Sequence, residues 1–327
     1  MNLPTAPADW PAFGLVEDVA PALQAAHAGG RAIALATLFK IEGASPRPLG
    51  SQMAIDAEGA IGYVAGGCVE GDVILNARAA LREGKARTLV YGPGGPVDIK
   101  LACGGRIEVL VEPLAPNDTA LARLAAFRTL RQPSVWLSNG DVRACVGSDD
   151  ARAAESWRLK RRCDPPLKLV IVGGDPITLA IAQLGANAFV ETHIVRPKGP
   201  AAPPPIAGAR YSTLAPEEAL REIGVDAWTA IIAATHDPDW DHQALRVALP
   251  SAAFHVAAIG SRQRLPERLA RLAAESIPTE RLRAPAGIPI NGQAPFEVAI
   301  SVWAELISAW REDCARRAYV LAALSDE

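Results

Sequence analysis

From Leu167 onward, short continuous apolar runs alternate with stretches of helical spacing, and few folds accommodate that alternation. Leu167 to Val172 is apolar throughout, as a strand covered on both faces must be. The order then reads helix (Ile177 to Ala186), strand (Glu191 to Val195), helix (Pro216 to Ile223), strand (Ala230 to Ala234), helix (His242 to Leu249), strand (Phe254 to Ile259) and helix (Leu265 to Ala274). Strands separated by helical crossovers lie parallel, so the pattern predicts a Rossmann-like doubly wound parallel sheet. A last helix is expected from Pro295, well placed at a first helical position, to Trp310.

The first half is organised differently. Val16 to Gly29 has helical spacing and Arg31 to Lys40 reads as a strand. Met53 to Ile55 and Ala60 to Val64 form a hairpin about Ala57-Glu58-Gly59. Val73, Ile74, Ala77, Ala80 and Leu81 place one apolar face on a helix from Glu70 to Glu83. Strands are expected at Thr88 to Tyr91 and Arg106 to Val111, a helix at Leu121 to Leu130, and a hairpin at Ser134 to Ser138 and Arg143 to Val146. The fold class is therefore α/β: an N-terminal mixed α/β domain over 1–148, a connector over 149–166, and the Rossmann-like domain over 167–327. The connector carries Arg158, Lys160, Arg161 and Arg162 and ends at Pro165-Pro166, as a charged, proline-stiffened linker would. Its basic cluster reads as a solvated face or an anion-guiding rim.

Composition excludes several classes. Half of the 327 residues are apolar and 21% charged, which a disordered chain does not show. With 33 Lys+Arg against 36 Asp+Glu the net charge is −3, so neither nucleic acid nor an anionic membrane surface is an expected partner. Nothing approaches the ~18 consecutive apolar residues of a membrane span. Met1 to Phe13 lacks the basic and apolar regions of a secretory signal, and a cytoplasmic location is expected. The five cysteines, Cys68, Cys103, Cys145, Cys163 and Cys314, include no CxxC pair, which argues for reduced thiols and against structural zinc.

Candidate chemistry gathers in glycine-rich turns. Gly66-Gly67-Cys68 precedes the helix that begins at Glu70, so bare amides and the helix dipole favour an anion there and favour the thiolate of Cys68. Cys103-Gly104-Gly105 repeats the theme between two strands; whether the two thiols are neighbours stays open. In Ser45-Pro46-Arg47-Pro48-Leu49-Gly50 two prolines stiffen a loop that presents an arginine fork. The second half departs from the dinucleotide fingerprint G-x-G-x-x-G: Gly173-Gly174 is followed by Asp175 and then Thr178 at the second and third glycine positions, and Arg196 stands where an acid usually holds a ribose. A carboxylate at the point of closest approach repels a pyrophosphate, so a Rossmann domain without ordinary NAD(P) binding is expected. His236-Asp237-Pro238-Asp239-Trp240-Asp241-His242 is the most metal-like run, but its acids equally suit a helix cap. In Gly260-Ser261-Arg262, Arg262 is the expected contact and the following arginines a solvated face. Glu297 suits a first helical turn, and Glu305 could be structural or directed at a ligand.

Taken in order, Glu42 to Gly50, Gly66 to Glu70, Cys103 to Gly105, Thr235-His236-Asp237, Gly260-Ser261-Arg262 and Pro295-Phe296-Glu297 leading to Ala304-Glu305 resemble the xanthine dehydrogenase accessory protein (XdhC/CoxI) family. The resemblance runs from about residue 15 to 312. It implies a chaperone that binds molybdopterin or the molybdenum cofactor, in a free or nucleotide-linked form, assists its sulfuration and inserts it into molybdenum hydroxylases of the xanthine or aldehyde dehydrogenase type. The implied cofactor-binding residues are Ser45, Arg47, Gly50, Gly66, Gly67, Cys68, Glu70, Cys103, Gly104, Gly105, Gly173, Gly174, Thr235, His236, Asp237, Gly260, Ser261 and Arg262, with Cys68 the contact to molybdenum or its sulfur; none is assigned a catalytic role. A molybdenum hydroxylase client, a sulfur-supplying cysteine desulfurase and a homodimer that shields the cargo are the implied partners, with the cofactor held between the two domains. An NAD(P)-dependent oxidoreductase using the second domain is the alternative, and an intact glycine fingerprint would have favoured it. A nucleotidyl-transfer enzyme is a third reading, with Asp237 and Asp241 as the one candidate acid pair.

Overall fold

A computed structural model describes residues 11–95, 101, 103–153 and 156–323. Most of the N-terminal stretch read for a targeting signal lies outside these described residues. The chain divides between Pro165 and Pro166 into two compact units.

The first unit is built on a five-stranded antiparallel sheet: β1 (Ile33–Glu42), β2 (Gln52–Ile55), β3 (Ala60–Gly62), β4 (Arg87–Tyr91) and β5 (Arg106–Leu114), in the order β3-β2-β1-β5-β4. β1 is buried on both faces over its first six residues, which is why its sequence is a continuous apolar run. Ala34, Ala36 and Leu38 face a core shared with Val73 and Ala77 of α2 (Glu70–Glu83), whereas Ile33 and Leu35 face a second core with Leu23 of α1 (Ala20–Ala28) and Leu121 of α3 (Thr119–Thr129). α2 has the predicted bounds. α1 starts four residues later than its spacing suggested, because Pro21 sets the first turn.

A three-stranded sheet completes this unit: β6 (Ser134–Ser138), β7 (Arg143–Gly147) and β8 (Leu159–Cys163), in the order β7-β6-β8. The expected linker over 149–166 is thereby corrected. Its basic segment is β8, antiparallel to β6 with Trp136 opposite Arg161, and Leu159 is buried in the core.

The second unit has the predicted Rossmann-like architecture. Six parallel strands, β9 (Lys168–Gly173), β10 (Glu191–Val195), β11 (Arg210–Ser212), β12 (Thr229–Ala234), β13 (His255–Ala258) and β14 (Leu282–Arg283), lie in the order β11-β10-β9-β12-β13-β14. One face is covered by α4 (Pro176–Asn187) and α8 (Pro295–Ala323), the other by α5 (Pro216–Ile223), α6 (Pro238–Ala248) and α7 (Leu265–Ala274). β11 and β14, three and two residues long, are too short to show a period in sequence. The strand order reverses between β9 and β12, which opens a crevice at their carboxyl ends. No helix among the described residues is long and apolar enough to cross a membrane.

Candidate functional site

In the first unit the predicted loops converge. The loop 43–50 borders both cysteine-bearing turns: the Pro46 ring lies 3.5 Å from where a Gly66 Cβ would be, and a Cβ on Gly105 would overlap the Ala44 carbonyl. Cys68 and Cys103 are both exposed thiols. Cys145, by contrast, is buried, and desolvation pushes its thiol up to about 11.

Arg47 is held from two sides. The Ser45 hydroxyl donates to the Arg47 carbonyl at 2.9 Å and accepts its amide at 3.3 Å, while one guanidinium nitrogen meets Glu17 at 2.9 Å. Its Nε is buried and has no hydrogen-bond partner. An unmet donor on a fixed cation is an opening for an oxygen acceptor such as phosphate. Tyr63, which no motif singled out, joins the group. Burial pushes its phenol up, Glu70 and the Cys68 sulfur add to that push, and Arg47 opposes it. Arg47, Cys68 and Glu70 are thus within electrostatic range of the Tyr63 hydroxyl.

Glu70 is not turned toward a ligand. It is 2% exposed, and its carboxylate accepts the amides of Ala65 at 2.7 Å and Val69 at 3.3 Å, closing the Gly66-Gly67-Cys68 turn. Asp72, the second acid of the first turn, accepts the Tyr91 hydroxyl at 2.6 Å. The helix start therefore already faces two carboxylates, which disfavours the anion expected there. Gly105→Ala tests the loop contact: a methyl in place of hydrogen forces the 43–50 and 103–105 loops apart. The expected result is a loss of about 2 kcal/mol in chemical denaturation, and unchanged stability would show that the loops part freely.

In the second unit a cavity of about 400 Å³ lies at the carboxyl ends of β12 and β13, with a neighbouring one of about 330 Å³ over the Gly173-Gly174 turn. Asp175 caps α4, accepting the Thr178 amide at 2.8 Å. The Arg196 side chain lies against Gly174. An internal carboxylate thus sits where a dinucleotide phosphate would meet the helix, as the altered fingerprint suggested. Thr235 serves a network: its amide (3.0 Å) and hydroxyl (2.7 Å) donate to buried Asp241, which also takes Arg268 at 2.7 Å. Burial pushes the Asp241 carboxyl up, and these donors pull it back. Asp237 caps α6 through the amides of Asp239 and Trp240. The metal-like run is therefore a cap and an ion-pair anchor, and no group of three or more His, Cys, Asp or Glu among the described residues could hold a metal ion.

His236 is exposed at the cavity rim, 3.3 Å from Asp175. Gly260 and Ser261 line the cavity. Arg262 is exposed and does not; Arg264, Arg268 and Arg271 of the following turn and α7 do, which reverses the expectation for that segment. The short 3-10 turn at Arg262–Arg264 swings Arg262 outward before α7 begins. Sequence spacing could not mark Arg268, because Asp241 selects it across 27 positions. Glu297 accepts the amides of Gln293 and Ala294 ahead of α8, and Glu305 accepts the Gly287 amide at 3.0 Å; both hold the segment before the helix.

Comparison with known proteins matches residues 169–306 to the XdhC Rossmann domain and residues 26–92 to the XdhC and CoxI family. The molybdenum cofactor insertion chaperone PaoD of Escherichia coli is 30% identical over 288 residues, covering 85% of this chain and 84% of PaoD. A probable xanthine dehydrogenase subunit of Bacillus subtilis is 24% identical, covering 84% of this chain and 92% of that protein. A crystal structure described as a xanthine dehydrogenase from Bacillus halodurans shares the fold with a TM-score of 0.72 at 23% identity, over 90% of this chain and 96% of that one.

Proposed function

The chain belongs to the XdhC and CoxI family, and on that premise we propose that it binds the molybdenum cofactor and delivers it to a molybdenum hydroxylase of the xanthine dehydrogenase type. The observation that carries the reading to particular residues is the unmet Nε of Arg47, with Tyr63 within electrostatic range of both Arg47 and the exposed Cys68. A guanidinium supplies a fork for the pterin phosphate, and a soft thiolate suits molybdenum or its sulfur. Ser45 and Glu70 position these two groups through the backbone and do not touch the cargo. Cys103 borders the same loop and is a second thiol for sulfur handling.

A cysteine desulfurase supplies the sulfur, the carrier works in the cytoplasm, and two copies shield the cargo. Phe296, Ile300 and Ile307 support a protein contact, since they leave large apolar side chains exposed at spacings of four and seven on α8.

The test is to purify the chain from cells that make the cofactor and to measure pterin and molybdenum per chain. Arg47→Ala should retain about tenfold less pterin, the equivalent of roughly 1.4 kcal/mol for one charged hydrogen bond. Cys68→Ala and Cys103→Ala report the thiols singly; full retention of molybdenum and its sulfur in both removes them from the site. A wild-type chain that carries no pterin overturns the reading.

A further inference from the structure

The basic cluster on β8 does more than cover an edge strand. Arg158, Lys160, Arg161 and Arg162 line an open groove of about 530 Å³ whose other walls include Phe39, Leu49 and Trp157, and no carboxylate lines it. The cations are placed differently. The Arg158 guanidinium sits 4.6 Å from the Phe39 ring centroid, donates to Thr88 at 2.9 Å and lies 3.7 Å from the Glu108 carboxylate. Arg162 is paired with Asp164 at 2.7 Å. Lys160 is exposed and has no ion pair among the described residues. Apolar and aromatic walls beside a cationic rim, on which Lys160 has no ion pair among the described residues, suit a flat heterocycle that carries phosphate.

Position links this groove to the cargo site. Arg161 donates to the Gly50 carbonyl at 2.8 Å, so β8 holds the far end of the loop that carries Ser45 and Arg47. Arg47 and Gly50 are three positions apart, which keeps their Cα atoms within about 10 Å. A pterin whose phosphate meets Arg47 can therefore extend a second phosphate and its nucleoside into the groove.

Resting on the carrier reading above, we propose that the β8 groove is a nucleotide subsite, which makes the nucleotide-linked form of the cofactor the cargo this chain distinguishes. Positive charge on an edge strand also guards against strand pairing. That role accounts for Lys160 but not for Arg158 drawn over Phe39.

The experiment uses the full chain freed of pterin and titrated calorimetrically with ADP, GDP, CDP and inorganic pyrophosphate. The expected result is binding of at least one nucleoside diphosphate at least tenfold tighter than pyrophosphate, weakened at least tenfold in Arg158→Ala/Lys160→Ala. Lys160→Ala alone, at an exposed position, should weaken it severalfold with no change in thermal midpoint. Equal affinity for pyrophosphate, no nucleotide binding up to millimolar concentration, or unchanged binding in the double variant each overturns the subsite. An acidic peptide that binds the groove as tightly as the nucleotides makes it a protein dock and also overturns it. Pterin retained by the wild-type chain in any of those cases leaves the carrier reading standing, whereas pterin absent from the wild-type chain defeats that reading instead.

Discussion

Arg143→Ala will destabilise the first unit by about 3–5 kcal/mol, the usual cost of stripping the partner from a buried charge. Glu112 on β5 is fully buried, and burial pushes its carboxyl up. Its oxygens are met by the Ser138 hydroxyl at 2.5 Å, the Trp136 ring nitrogen at 3.3 Å and the Arg143 Nε at 3.2 Å. Arg143 also donates to Asp118 at 2.8 Å and to the Gly140 carbonyl at 2.8 Å, so one guanidinium ties β5, the α3 cap and the β6–β7 turn. Without it, two neutral donors face a carboxylate in hydrocarbon. At about 2–4 °C per kcal/mol for a unit of this size, the thermal midpoint should fall by roughly 10 °C. The pH dependence follows from the raised carboxyl of Glu112. A group raised in the folded state stabilises at pH below its unfolded value and loses that contribution as pH rises, so the variant's deficit should narrow toward acid as Glu112 takes a proton. Glu112→Gln/Arg143→Met should restore part of the loss. A single variant as stable as the parent would show that Glu112 is neutral in the native protein at pH 7.

Glu112 also marks where sequence reading stops. The helix Glu70–Glu83 and the alternation after Leu167 were legible because burial there is periodic, and the period survives in one dimension. The strand Leu159–Cys163 was not, because three of its five residues are Lys or Arg, and an edge strand owes its identity to a partner, β6, some 25 positions away. The candidate site divides the same way. Loops rich in glycine and proline announce themselves, and 43–50 meets both 66–68 and 103–105. Roles inside the loops depend on side-chain direction, which spacing does not encode: Glu70 turned inward, Asp237 became a cap, and Arg262 gave way to Arg264 and Arg268. Tyr63 carried no motif, and only its place beside Cys68, Glu70 and Arg47 reveals it.

Acidification should destabilise the second unit through one histidine. His255 on β13 is 3% exposed, and burial, aided by the Arg283 charge, lowers it to about 4. Its Nε2 lies 3.3 Å from Glu305 on α8, yet neither His255 Nε2 nor Glu305 Oε1 has a hydrogen-bond partner. The folded value lies below the unfolded one, near 6.5, so the unfolded chain binds this proton first as pH falls. Stability is whole above pH 6.5 and is lost progressively down to pH 4. The gap between 6.5 and about 4, at 1.36 kcal/mol for each tenfold change in proton affinity, puts the loss at about 3 kcal/mol. Glu305 works in the opposite sense: burial raises its carboxyl, so the folded protein protonates it first and recovers some stability at acid pH. Comparing His255→Gln with the parent isolates the histidine, because Gln fills the site without titrating. Denaturation followed at steps from pH 7 to 4 should show the parent losing about 3 kcal/mol more than the variant. Parallel curves would mean that the imidazole takes its proton as readily in the fold as in the unfolded chain, so that Glu305 offsets its burial, and a parent that gains on the variant toward acid would mark a buried His255–Glu305 ion pair.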